Sequence, residues 1–204
     1  MIMTKKLIIF PFNTKLGTDK LQKLGELILP ALKCKYTGFE VMNHEYARHA
    51  TIPGVFAPDV VLGTYTLIEG LPGRGIHRTF GRRLNGDHGL VVTDWMISFG
   101  GYRAGGSADE INGTALVTIR EMPKENQRDL ELIISRLSGV ALHEIGHLYG
   151  LEHHDARISP RRYCPMINRT WDDPEPYKRT TKAKFLDSRG NKFCSDCYKA
   201  IAAR

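Results

Sequence analysis

The chain has 204 residues, of which 42% are hydrophobic and 25% charged, with a formal net charge of +7. This length can bury a sizeable core, so we expect one domain that folds without a disulfide scaffold. Lys and Arg are scattered rather than clustered in a run, which favours a solvated basic surface over nucleic-acid binding. No apolar run is long enough to span a membrane, and Leu7–Phe12 is too short for a signal peptide. We therefore expect a cytoplasmic protein.

The first third of the chain has the pattern of a strand, a helix and a second strand. Leu7–Phe10 is a short apolar run stopped by Pro11, which suits a buried strand. From Thr18 to Leu32, leucine and isoleucine recur every three or four residues, which predicts an amphipathic helix. Tyr36–Val41 is predicted to be the next strand.

The middle of the chain is less regular in pattern. Residues 43–58 are predicted to form a loop, and residues 59–71 a helix. Residues 76–89 are polar and basic, which predicts a charged loop or edge segment. Leu90–Asp94 is a clear β run, and the glycines within 100–106 indicate a flexible loop.

Two elements are predicted before the most informative motif. Thr114–Arg120 alternates polar and apolar residues, as a half-exposed strand does. The pattern from Gln127 to Leu148 is helical again, with one apolar stripe.

Residues 143–154 read HExxHxxGxxH followed by one more histidine. His143 and His147 are one helical turn apart, so they can hold one metal ion between them. Gly150 can adopt a positive φ and end the helix sharply, which would return His153 to the metal as a third ligand. Three protein ligands and one open position are typical of a catalytic zinc.

Glu144 is the residue that we expect to carry out the chemistry. It lies about 100° around the helix from His143, which places its carboxylate beside the metal rather than on it. Zinc lowers the pKa of a bound water to about 7, and Glu144 can then act as the general base. The motif therefore predicts a zinc-dependent peptidase that hydrolyses peptide bonds with activated water.

The four cysteines are too few for the disulfide scaffold of a secreted protein of this length. A CxxC pair, Cys194 and Cys197, together with Cys164 and the histidine-rich motif, indicates metal ligation. The alternative is that these three cysteines are free thiols. Cys34 is interpreted as a small buried residue near the start of a strand.

These motifs resemble the archaemetzincin family within the metzincin clan of zinc peptidases. The clan shares HExxHxxGxxH, and Met166 is the candidate for its methionine turn. The family continues with a Cys-x-Met and a late CxxC, which match Cys164-Pro165-Met166 and Cys194-Ser195-Asp196-Cys197. The resemblance is tight over 143–154, looser over 155–197 and weak before residue 130. It implies that the cysteines hold a second, structural zinc.

The sequence departs from the family pattern at His154, where the family has a cysteine, and its spacers around Cys164 and Cys194 are longer. Imidazole is a good zinc ligand, and three cysteines with one histidine are a common structural set. Asp155 and Cys34 are the alternative fourth ligands. We predict two zinc ions per chain, the second held by His154, Cys164, Cys194 and Cys197.

The resemblance implies an α/β fold: a mixed twisted sheet with an antiparallel edge strand, an active-site helix, and a small irregular C-terminal part stabilised by zinc. We expect an upper subdomain at 1–150 and a lower one at 151–204 within one domain. The edge strand would be residues 113–120, where an extended peptide could pair by β-augmentation. The alternative function is a non-catalytic module that binds two zinc ions.

Overall fold

The computed structural model describes residues 5–44, 67–68, 74–99, 102–122, 130–155, 163–168, 186 and 190–204. Ten strands and four helices of six residues or more are present within these ranges. In chain order they are β1 (Lys5–Pro11), α1 (Thr18–Ile28), β2 (Tyr36–Val41), β3 (Leu67–Ile68), α2 (Arg74–Gly81), β4 (His88–Thr93), β5 (Met96–Phe99), β6 (Tyr102–Ala104), β7 (Gly106–Asp109), β8 (Thr114–Thr118), α3 (Leu130–Leu148), β9 (His154–Asp155), β10 (Ile167–Asn168) and α4 (Ser195–Ala203).

The main sheet has five strands in the order β2-β1-β4-β8-β7. The first four strands are parallel, and β7 is antiparallel to β8 at one edge. Every residue of β4 and of β8 is buried. Strands of this kind are covered on both faces, as in other mostly parallel sheets. The expected α/β fold, with a mixed sheet and an antiparallel edge strand, is confirmed.

Helices cover both faces of this sheet. Helices α1 and α3 pack together on one face, and α3 lies against β7 and β8. Helix α2 packs on the other face, against β4 and β8. The core on the α2 side is formed by aromatic and aliphatic side chains, namely Phe10, Phe12, Ile76, Phe80, Leu84, Val91, Ile97 and Leu116. Because α3 is covered by both α1 and the sheet, most of its residues from Ile134 onward are buried.

The prediction that residues 113–120 form the edge strand is wrong. Strand β8 pairs with β4 on one side and with β7 on the other, so the edge strand is Gly106–Asp109. The threonines of β8 suggested a half-exposed strand, but Thr114 and Thr118 are both fully buried. Their hydroxyl groups hydrogen-bond inside the protein, Thr114 with the His77 ring and Thr118 with a backbone carbonyl oxygen, which replaces water.

Helix α2 falls where a charged loop was predicted. Its only two large apolar side chains, Ile76 and Phe80, are four residues apart and both buried. One apolar pair among basic residues gives too weak a period for a sequence prediction. Leu67–Ile68 forms a short strand rather than part of the predicted helix, and the rest of residues 59–71 lies outside the described residues.

Within the part of the chain that the structure describes, no helix has both the length and the apolar character needed to span a membrane.

Candidate active site and second metal cluster

Helix α3 ends at Leu148, just before Gly150 of the HExxHxxGxxH motif. Gly150 has φ of +60°. Its N–H donates to the His147 carbonyl at 2.8 Å, and the Leu151 N–H donates to the Gly146 carbonyl at 3.1 Å. This pair of bonds is the Schellman motif, which a residue in the left-handed region closes. The predicted role of Gly150 as a helix stop is therefore confirmed.

The three motif histidines converge on one point. The Nε2 atoms of His143 and His147 are 3.3 Å apart, those of His147 and His153 are 3.0 Å apart, and those of His153 and His143 are 3.2 Å apart. Three nitrogen ligands around a tetrahedral zinc lie about 3.3 Å from one another. This donor set fits zinc. His143 is buried and His153 is exposed, so the group opens to solvent on one side.

The opposite ring nitrogens are held by backbone carbonyls. His143 Nδ1 lies 2.8 Å from the Pro165 oxygen, and His147 Nδ1 lies 2.8 Å from the Leu151 oxygen. A carbonyl can only accept, so each Nδ1 carries the proton and donates. Both Nε2 atoms then present a lone pair to the shared point, which is the tautomer that a metal ligand requires.

Glu144 follows His143 on α3, and its side chain is 7% exposed. It lies against the edge strand: a Cβ built on Gly106 would be 2.6 Å from Glu144 Cγ and 2.8 Å from its Oε1. The carboxylate therefore occupies the boundary between the histidine-bearing helix and the open edge of the sheet.

A turn at residues 163–168 packs against helix α3. Met166 is fully buried, and a Cβ on Gly146 would collide with its sulfur. The Ile167 N–H donates to the Cys164 carbonyl at 3.1 Å and closes the turn. The turn that supplies the carbonyl of Pro165 to His143 therefore also packs Met166 against the helix, and the assignment of Met166 to a methionine turn stays a prediction.

A second group of possible ligands lies beside the first. The His154 Nε2 atom is 2.9 Å from the Cys197 sulfur and 3.4 Å from the Cys194 sulfur. The sulfurs of Cys164 and Cys197 are 3.9 Å apart. A tetrahedral zinc with thiolate and imidazole ligands separates sulfurs by about 3.8 Å and sulfur from nitrogen by about 3.6 Å. All four ligand atoms lie within 4.8 Å of one another, so this donor set also fits zinc.

The thiols of this group are unequal in acidity. The hydrogen bond with Cys197 lowers the pKa of Cys164 to about 5, against the opposing effect of burial, and backbone N–H groups of Cys194 and Met166 add to the lowering. The pKa of Cys197 is raised, first by the same hydrogen bond and then by burial. A thiolate at Cys164 is thus favoured before any metal binds, and metal binding would displace the remaining thiol protons.

Three segments converge to build the second group. Strand β9 pairs with β10 in parallel, and the His154 N–H donates to the Met166 carbonyl at 2.8 Å. Cys194 occupies the N-cap position of α4, and Cys197 lies in the first turn of that helix. His153 and His154 are adjacent in sequence but belong to different groups.

Three solved structures are similar to this chain over nearly their whole length, each at 18% sequence identity. A zinc-dependent peptidase from Methanocorpusculum labreanum matches with a TM-score of 0.66 over 96% of this chain and 99% of its own. Archaemetzincin from Methanopyrus kandleri matches with a TM-score of 0.63 over 97% and 93% of the two chains. Archaemetzincin from Archaeoglobus fulgidus, complexed with malonate, matches with a TM-score of 0.60 over 96% and 99%.

The chain has the archaemetzincin fold. The resemblance inferred from the motifs is confirmed at the level of the fold. No protein-family model matches the sequence, and no curated protein matches it.

Within the archaemetzincin fold, two contacts of the edge strand β7 were not anticipated from the sequence. Gly106 faces Glu144, and His77 joins the edge strand to its neighbour through hydrogen bonds with Ser107 and Thr114. Neither residue belongs to a motif, because both act through contacts between distant parts of the chain. Cys34 is partly buried against the core and belongs to neither ligand group, in line with its interpretation as a packing residue.

Proposed function

We propose that this chain is a zinc-dependent peptidase of the archaemetzincin family. The observation that carries the proposal is the meeting of three histidine Nε2 atoms, 3.0–3.3 Å apart, with Glu144 on the helix that carries His143 and His147. The similar structure from Methanocorpusculum labreanum is named a zinc-dependent peptidase, which supports the same conclusion. A site with only a structural purpose would have no need of a carboxylate beside the histidines.

His143, His147 and His153 would hold the zinc, which when bound supplies a Lewis acid for the peptide carbonyl and for water. Glu144 acts as the general base: it takes the proton of the attacking water and returns it to the leaving amine. Glu144 is next to His143 on α3 and is buried against β7, while the exposed side of the histidine group would admit the substrate.

We infer that an extended peptide docks on the edge strand β7, in place of the predicted 113–120. The Thr118 N–H donates to the Gly105 carbonyl, so residues 105, 107 and 109 turn their backbone groups toward β8. Gly106 and Ala108 then turn their N–H and C=O groups to the open edge. These two residues would pair with a substrate strand by β-augmentation.

We also propose that a second zinc is held by His154, Cys164, Cys194 and Cys197. Its role is structural, because its four protein ligands leave no open position. The rival function, a module that binds two zinc ions without catalysis, requires that the first site be closed as well. The subdomain boundary at residue 150 and the cytoplasmic location stay predictions.

Replacing Glu144 tests this function. Glu144→Gln keeps the shape of the side chain but removes the base, so we expect hydrolysis of a peptide library to fall about 10²- to 10⁴-fold. Zinc content should be unchanged. Glu152→Gln is the matched control, since Glu152 lies in the same motif but is exposed and belongs to neither ligand group. If Glu144→Gln hydrolyses peptides as fast as the wild type, Glu144 is not the general base. If the zinc-loaded wild-type protein has no peptidase activity, the non-catalytic module is favoured.

A further inference from the structure

Gly106 is the first residue of the edge strand, and its Cα faces helix α3. A Cβ placed there would lie 2.6 Å from Glu144 Cγ, 2.8 Å from Glu144 Oε1 and 2.7 Å from the Leu116 carbonyl oxygen. Carbon atoms that are not bonded attract each other best at about 3.5–4.0 Å, so even a methyl group would overlap the Glu144 side chain. Only glycine, which has no side chain, leaves room for Glu144 at this position of the strand.

Glu144 has little room to move away from this strand. Its side chain is 7% exposed, and Ala141 and Ile145, which flank it on α3, are fully buried. The closest atom is Cγ, so rotation of the carboxylate alone would not remove the overlap. Relief would require either a new rotamer, with the carboxylate aimed elsewhere, or a shift of α3 against β7.

We propose that Gly106 is a positioning residue, whose missing side chain fixes the place of the Glu144 carboxylate beside the three histidines. This rests on the proposed peptidase function. Gly106 also turns its N–H and C=O to the open edge of the sheet, so the backbone that would hold the substrate and the side chain that would activate water meet at one residue. A displacement of about 1 Å in such a group costs about 100-fold in rate.

The preceding residue supplies a matched control. A Cβ on Gly105 would lie 3.6 Å from Val140 Cγ1, which is ordinary van der Waals contact. Neither glycine has a φ in the left-handed region, so alanine is allowed by the backbone at both positions. Gly105→Ala and Gly106→Ala thus make the same chemical change one residue apart, and only the second meets Glu144.

Steady-state kinetics test the proposal on the zinc-loaded enzyme. For Gly106→Ala we expect kcat to fall about 10- to 100-fold with KM within about threefold, because the backbone groups that would bind the substrate are retained. Gly105→Ala should keep kcat within about twofold. Equal losses in the two variants, or a rise in KM with unchanged kcat, would overturn the assignment of Gly106 to the positioning of Glu144.

Melting temperature supplies a readout that does not depend on activity. Gly106→Ala is made in the wild-type chain and in Glu144→Ala, which lacks the Cγ and the carboxylate. We expect the drop in Tm caused by Gly106→Ala to be smaller by half or more in the Glu144→Ala background, with the remainder due to the Leu116 carbonyl. Equal drops in both backgrounds would show that Glu144 is not the group displaced. This cycle decides the role of Gly106 even if the chain proves to have no peptidase activity.

Discussion

His88 is a buried histidine held in its neutral form. Its Nε2 lies 2.8 Å from Lys5 Nζ, and its Nδ1 lies 2.8 Å from the Tyr36 hydroxyl. The ammonium can only donate, so Nε2 accepts and Nδ1 carries the ring proton. Burial, and after it the charge of Lys5, lower the pKa of His88 to about 4, against the opposing effect of Asp87.

This pKa predicts a loss of stability in mild acid. Between pH 6.5 and pH 4 the unfolded chain binds a proton at His88 that the folded chain does not, so the free energy of unfolding falls as the pH falls. At pH 5 the loss is about 2 kcal/mol relative to pH 7.5. Urea unfolding at both pH values measures it, with His88→Gln as the reference.

The variant removes the titrating group while keeping hydrogen-bonding atoms, so its stability should change less over the same pH range. Acid also weakens metal binding in both proteins, and the difference between them isolates His88. Parallel pH profiles would contradict the assignment of a low pKa to this residue.

At the scale of elements, helix α2 is joined by hydrogen bonds to both strands of the edge hairpin, β7 and β8. His77 is buried on α2, with Nδ1 2.7 Å from Thr114 Oγ1 on β8 and Nε2 2.9 Å from Ser107 Oγ on β7. Ser107 and Gly106 are consecutive in the strand, so they point to opposite faces. The strand that lies against Glu144 on one face is therefore held by His77 on the other.

Replacing His77 should loosen the hairpin. His77→Ala removes both hydrogen bonds and leaves a cavity, so we expect the free energy of unfolding to drop by about 2 kcal/mol or more. Amide hydrogen exchange should speed up most in β7 and β8. Arg78→Ala, at the next position of α2 with an exposed side chain, is the control and should change little. If both variants lose the same free energy of unfolding, the loss comes from helix α2 as a whole and not from the two hydrogen bonds of His77.

Elements with a strong local period were predictable from the sequence. Strands β1, β2, β4 and β8 lie within two residues of their predicted bounds, and helix α1 begins at the predicted Thr18 but ends at Ile28, four residues before Leu32. Helix α3 ends at the predicted Leu148, and residues 127–129 at its predicted start lie outside the described residues. Helix α2 was missed because only Ile76 and Phe80 mark its buried face. The edge was misplaced because alternation in Thr114–Thr118 resembles that of a half-exposed strand, while pairing with β7 depends on which segments meet in the fold.

The same distinction holds for the candidate site. The three zinc-site histidines and Glu144 follow the spacing of one segment, and the cysteines were indicated by the CxxC pair and by the resemblance to the archaemetzincins, so the sequence pointed to all of them. The carbonyls of Pro165 and Leu151, the contact of Gly106 with Glu144 and the brace from His77 arise only when separate segments pack together. Contacts of this kind leave no pattern in the sequence around each residue, so they could not be predicted from it.

At the scale of the whole molecule, the second ligand group ties the C-terminal segments to the site. It draws residues from β9, from the turn that carries Met166 and from the start of α4. A metal held there would stabilise the folded chain by a free energy that grows with the logarithm of its affinity, since the unfolded chain cannot assemble the four ligands.

Metal analysis of variants at residue 154 tests this group. His154→Ala leaves three cysteine ligands, so we expect purified protein to contain about one zinc per chain instead of two and to melt at a lower temperature. His154→Cys restores four ligands and should keep both ions. One zinc per chain in the wild-type protein, or two in His154→Ala, would contradict the proposed ligand set.

The adjacency of His153 and His154 has a consequence for how related chains can vary in length. Side chains of successive residues in extended backbone point to opposite sides, so a single inserted residue at this position would turn one histidine away from its group. The sequence spacers between His154 and Cys164 and between Met166 and Cys194 contribute none of the proposed ligands, and a longer connection between two fixed points costs little free energy. Insertions and deletions among relatives should therefore collect in these two segments and spare residues 143–154.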